Sequence, residues 1–122
     1  MFVTVYEDGG FKGKSVKVRI GEYGSMGDIG FPDNKMDSIK VPENLSAEIF
    51  IKSNFDTSEY PSYVFKPGNY SSFSQIQATN PNSGKKSDFH DNVSSMKVFA
   101  ADYCYMTLED DGNLCIYKGK SP

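Results

Sequence analysis

Apolar residues recur with period two over short stretches of this chain, and no helical period persists for more than about two turns, so the predicted elements are strands. Residues 2–6 and 15–20 read as a strand pair. The link between them holds Gly9, Gly10 and Gly13, which allow a tight fold-over with Tyr6 and Phe11 packed at the corner. Residues 47–57 repeat this unit, with Phe50 and Phe55 in the places of Tyr6 and Phe11 and Thr57 in that of Gly13. Residues 21–30 are Gly-rich and read as a crossover loop. No Gly-Lys-Ser/Thr and no helix pattern follow them, which excludes a phosphate cradle. Residues 66–73 echo 20–26.

Each half then carries a polar arch running into a strand, at 33–41 and at 90–98. Matching Asp33-Asn34 to Asp91-Asn92 sets Met36 against Ser94 and Ile39 against Lys97, which turns a buried face outward. Matching on the serines pairs Met36 with Val93, Ile39 with Met96 and Val41 with Val98, and keeps a core. The serine register is therefore the expected one. Asp33 follows Tyr6 by 27 residues and His90 follows Phe50 by 40. The extra length falls mostly in residues 75–88, polar with Pro81 and Gly84, and reads as a surface loop insertion.

Composition narrows the class. A chain of 122 residues with eight Tyr, nine Phe, no Trp and 11 Gly suits one all-β sandwich or barrel with a real core. The formal charge of -3 argues against a nucleic-acid binder, and no basic amphipathic stretch suggests a membrane surface. An acidic surface suits cations. Strand-like alternation begins at Met1, without a charged leader or an apolar run near 18 residues, so a cytoplasmic location is expected, with non-classical export as the other route. The sequons at Asn44, Asn69 and Asn92 are acceptors only in a secreted chain. Cys104 and Cys115 flank a predicted turn at Asp111-Gly112. A two-residue hairpin sets Cys104 opposite Gly119, about 13 Å along the strand from Cys115 and too far for a disulfide, so both are expected as thiols.

No catalytic constellation emerges. His90 is the sole histidine, and because adjacent strand or arch residues are expected to point apart, Asp91 beside it is not evidence of a dyad; no His/Cys spacing makes a zinc site, and the serines lack a second base. The expectation is a non-enzyme.

Two matching four-strand units imply two Greek keys packed with an approximate two-fold. The Tyr6-x4-Phe11-x-Gly13 hairpin resembles the aromatic hairpin signature of the βγ-crystallins, and both arches resemble that family's Asn/Asp-Asn/Asp-x-x-Ser/Thr-Ser calcium motif. The resemblance spans about residues 2–100, as motif A (1–45) and motif B (46–100), followed by a C-terminal β-hairpin extension at 101–122. It implies two calcium ions (Ca2+), each shared between the arches. The positions it assigns as ligands are Asp37 and Ser94 by their side chains, Lys35 and Asn92 by backbone carbonyls, Asp33 and His90 at the first position, and Glu7 with Lys52 or Ser53 in the hairpins. Asn34, Asp91, Ser38 and Ser95 are expected to brace the arches.

Two departures stand out. Asp37 replaces Ser or Thr and adds a carboxylate. His90 replaces Asn or Asp, and its nitrogen suits zinc or copper better than calcium. One competent and one weakened site are expected, with the crossing of ligands left open. Without any ion, the same arches read as corner turns capping their own amides.

In the tail, residues 103–109 and 113–117 read as a hairpin that adds an edge to the sandwich or exchanges with a second molecule in a homodimer. Residues 108–117 also resemble one repeat of the mannose-binding bulb-type lectins, from which Glu109 and Cys115 depart. The leading functional expectation is a non-enzymatic calcium-binding domain with a structural, stress-related or adhesion role. The alternative is a carbohydrate- or protein-binding module, lectin-like or inhibitor- and toxin-like, using residues 75–88 and the tail. Neither reading involves nucleic acid or membrane insertion.

Overall fold

A computed structural model describes residues 1–101, 103–107 and 115–118. Alternation of Val3 and Val5 with polar neighbours makes β1 (Val3–Asp8) a strand with one buried face, and β2 (Lys12–Val18) returns against it. The turn between them is closed by Gly10, Phe11 and Gly13, all at positive φ. β4 (Ser38–Val41) lies on the other side of β1, with Tyr6 opposite Ser38 and Val5 opposite Ile39. Motif B reproduces this pairing: β5 (Leu45–Phe50) lies beside β10 (Ser95–Ala100), with Phe50 opposite Ser95 and Ile49 opposite Met96. The serine register is thus the one the sheets adopt.

The third strands cross over. β3 (Gly21–Tyr23) pairs with β10, and β7 (Gly68–Tyr70) pairs with β4. One sheet therefore runs β2-β1-β4-β7 and the other β3-β10-β5-β6, where β6 is Tyr63–Phe65. Each motif completes the other's sheet. Both third strands open with a glycine and end in a tyrosine whose hydroxyl donates back to a carbonyl four residues earlier, Tyr23 to Arg19 and Tyr70 to Lys66, each at 2.7 Å. Burial, with Tyr63 nearby, pushes the Tyr70 phenol above its ordinary value.

Val3, Val5, Ile39, Ala47, Ile49 and Met96 line the inner faces at zero exposure. Met36 and Val93, each two residues before its arch's strand, are equally buried. Phe65 and Phe73 stack at 5.2 Å between ring centroids and fill motif B's share of the core. Burial of this apolar surface is the main driving force for the fold.

Three expectations are corrected. The run 21–30 is not simply a loop: it yields β3 and a 3-10 turn at Met26–Ile29, ended by Gly30 at φ 73. Three residues are too few for a period to show. The insertion at 75–88 folds as a second hairpin, β8 (Gln77–Thr79) on β9 (Lys86–Asp88), anchored by buried Ala78. In the tail, β11 (Tyr103–Thr107) pairs with β12 (Cys115–Lys118) with Thr107 opposite Cys115, and a further one-residue shift between Cys104 and Thr107 leaves Cys104 opposite Tyr117 rather than Gly119. The turn there, the lectin-like repeat as a whole and the cysteine side chains lie outside the described residues. Among the described residues no helix is long and apolar enough to cross a membrane.

Candidate metal centre

The serine that opens each arch strand pins the aromatic hairpin above it. Ser38 Oγ donates to the Asp8 carbonyl at 2.6 Å and accepts the Phe11 N–H at 3.1 Å. Ser95 Oγ donates to the Lys52 carbonyl at 2.6 Å and accepts the Phe55 N–H at 3.1 Å. The hairpin rings meet edge-on, Tyr6 on Phe11 at 5.6 Å and Phe50 on Phe55 at 5.5 Å. Lys40 and Lys97 each set an ammonium 4.7 Å from the second ring. Ser38 and Ser95 are therefore braces, as expected. Because Asp8 matches Lys52, the true counterpart of Glu7 is Ile51 and that of Ser53 is Gly9.

The arches meet across the two-fold. Asn34 N–H donates to the Val93 carbonyl, and Asp91 N–H to the Met36 carbonyl, both at 3.2 Å. Asn34 and Asp91 hold φ of 58° and 51°, a left-handed bend that asparagine and aspartate tolerate better than most residues. This crossing places Asp37 beside His90 and Ser94 beside Asn34, forming two poles.

At one pole, Asp37 lies across from His90 and Asp91. His90 Nε2 is 3.2 Å from Asp37 Oδ2 and 3.7 Å from Asp91 Oδ2. The neighbours His90 and Asp91 thus do not point apart as expected: Asp91 sits in a left-handed bend, where strand alternation does not hold. The other Asp37 oxygen accepts the Phe73 N–H at 3.1 Å, and the Asp37 backbone N–H donates to the Tyr6 carbonyl, one residue before Glu7. Gly9 is what lets the hairpin close down here: a Cβ on it would stand 3.2 Å from both Asp37 Oδ2 and the Ser71 carbonyl. At the other pole, Ser94 Oγ donates to Asn34 Oδ1 at 3.1 Å, and Ser94 N–H to the Phe50 carbonyl at 2.9 Å. Asp33, Lys35 and Ser53 are exposed. Asn92 ties its arch to the insertion hairpin, donating from Nδ2 to Ser87 Oγ and the Asp88 carbonyl.

Among the eight ligand positions read from the sequence, the structure sets Asp37 against His90 at one pole, and at the other brings Ser94 to Asn34, the neighbour of Asp33. Lys52 gives its carbonyl to Ser95 instead. Asn34 and Asp91, expected only as braces, do brace the crossing by their amides, yet both also point a side-chain oxygen at a pole. Each is an oxygen-bearing residue in a bend, which is a signal present in the sequence, but its direction depends on the long-range crossing.

The donor chemistry differs between poles. A hard cation such as calcium takes six to eight oxygens from carboxylates, amides, hydroxyls and carbonyls. At the Ser94 pole the paired donors are the Ser94 hydroxyl and the Asn34 side-chain oxygen, with Asp33 next to Asn34 in the chain. The Asp37 pole brings carboxylates but also an imidazole nitrogen. Among the described residues no three His, Cys, Asp or Glu side chains converge as a metal cluster. An ion here would depend on hydroxyl, amide and backbone oxygens.

No family model matches the chain, and no curated protein sequence does. Solved structures do. The N-terminal domain of protein S is similar over 83% of this chain and 98% of its own, at 21% identity and a TM-score of 0.65. A βγ-crystallin domain from Clostridium beijerinckii is similar over 80% and 97%, at 21% identity and 0.62. One from Flavobacterium johnsoniae is similar over 82% and 96%, at 24% identity and 0.61. The fold is that of the βγ-crystallin domains.

Proposed function

We propose that this protein is a non-enzymatic, calcium-binding domain of βγ-crystallin type, stabilised by the ion and suited to a structural, stress-related or adhesion role. The reciprocal crossing of the arches carries the reading. The Asn34 and Asp91 amides each lock onto the opposite arch, so side-chain oxygens from both halves face one another at fixed separation. Ser94, Asn34 and Asp33 would hold an ion at one pole, with backbone oxygens of the arches and of the 51–53 segment nearby. Bound calcium supplies a positive charge that offsets repulsion within an acidic chain and cross-links its two motifs.

An ion that binds only the folded state adds RT ln(1 + [L]/Kd), about 2.7 kcal/mol at a hundredfold excess over Kd. Calcium titration calorimetry of metal-stripped protein is expected to show heat, and melting is expected to shift upward with the ion. Silent injections together with an unmoved transition would refute the reading.

A second reading has one observation in its favour. The insertion hairpin β8–β9 and residues 57–61 flank a groove of about 240 Å³ lined by Thr57, Pro61, Thr79 and Pro81. A protein or carbohydrate partner seated there would make calcium incidental. Replacing residues 80–85 with a short Gly-Ser turn, followed by glycan-array and protease-panel binding, separates the two readings.

A further inference from the structure

We infer that His90 occupies the Asp37 pole with its own ring N–H, so that this pole does not take calcium and the protein binds a single ion, at the Ser94 pole. The inference rests on the calcium reading above. The two departures from the motif could have fallen at different poles, but the crossing puts them together. His90 Nε2 stands 3.2 Å from a carboxylate of one arch and 3.7 Å from a carboxylate of the other, where a cation shared between the arches would have to lie.

A neutral imidazole protonated at Nε2 donates there as well as an imidazolium does, and in neither form does Nε2 keep a lone pair for a metal. The carboxylate cannot easily turn to offer another face. Its side chain is 12% exposed and its second oxygen is held by the Phe73 N–H.

Magnitudes decide how the pole is closed. The His90 side chain is 45% exposed, and a half-exposed, solvent-screened pair is too weak to bar an ion by itself. The larger loss is the missing oxygen: with His90 swung out, the first position still gives calcium only a nitrogen, a ligand it accepts poorly. At the Ser94 pole the same position is Asp33, a carboxylate.

Calcium titration calorimetry of wild type, His90→Asn and His90→Asp, each metal-stripped and checked for folding by circular dichroism and melting, tests this. Wild type is expected to bind one ion, and Ser94→Ala to lose it. Either His90 variant is expected to bind two, with affinity at the opened pole raised by about tenfold or more. Adding Asp37→Asn to His90→Asn removes the second ion, although the amide oxygen introduced at that position still accepts the Phe73 N–H.

Two ions in wild type, or wild-type binding that survives Ser94→Ala, would overturn the inference. So would a His90→Asn protein that still binds one. Silent wild type with one ion in His90→Asn refutes calcium at the Ser94 pole while upholding the role of His90. Silence in both refutes the calcium reading and the inference together.

Discussion

The two poles are built by the same backbone and differ in their side chains. Around both, an arch amide crosses to the opposite carbonyl at 3.2 Å and a serine pins an aromatic hairpin at 2.6 Å. Yet one fifth position is Asp37 and the other Ser94, and one first position is His90 and the other Asp33. The repeated features are those the core and hairpins require. The differing first positions, His90 and Asp33, are exposed and free to diverge, whereas the fifth positions are buried and each carries its own partner: Asp37 accepts the Phe73 N–H and Ser94 donates to Asn34.

Substitutions at matched positions can break that comparison. The largest expected effect is in the core, where Ile39→Ala and Met96→Ala each remove a fully buried side chain. Each should cost about 2–5 kcal/mol in urea unfolding, and a gap between them much beyond about 1 kcal/mol would mean the motifs are not equivalent supports. Next comes calcium itself. Saturating ion should raise stability by about 2.7 kcal/mol at a hundredfold excess, and chelation should return it to the ion-free value. Ser94→Ala should abolish this rise.

Ser38→Ala and Ser95→Ala each strand a hairpin carbonyl and an N–H. A loss of about 1–3 kcal/mol is expected for both. If only one matters, the bracing is not a shared device. The smallest effect sharpens the comparison at the tyrosine corners. Because the fold favours the neutral Tyr70 phenol, its contribution is full below the ordinary value of 10.0 and is lost as pH rises above it. Melting of Tyr70→Phe should therefore fall less steeply than wild type between neutral and strongly alkaline pH.

Much of this could be read from residues. Met36, Ile39 and Val41 against Val93, Met96 and Val98 identify the arch strands, because only one register keeps them buried. The aromatic pairs mark turns whose positive φ falls at Gly10, Phe11 and Gly13 in one motif and at Asn54 and Phe55 in the other. What the residues do not disclose is either short or distant. β3 and β7 have three residues each, too few to show alternation, and their partners belong to the other motif. Which first position faces which fifth depends on a contact spanning 60 residues, such as Ser94 with Asn34, and no local pattern encodes it. The two-residue offset in the tail is half present where Thr107 faces Cys115 and half added by the irregularity between Cys104 and Thr107, and ideal hairpin geometry anticipates neither.

The exchange of third strands has a consequence for assembly. With β3 lent to one side and β7 returned from the other, neither half-chain owns a complete four-stranded layer. A fragment ending near Asn44 would be a layer short of its outer member, and mixing it with the complementary fragment would make folding a second-order reaction. Residues 42–44, a three-residue tether, turn that encounter into an intramolecular step at high effective concentration, so nicking this link should make stability depend on protein concentration.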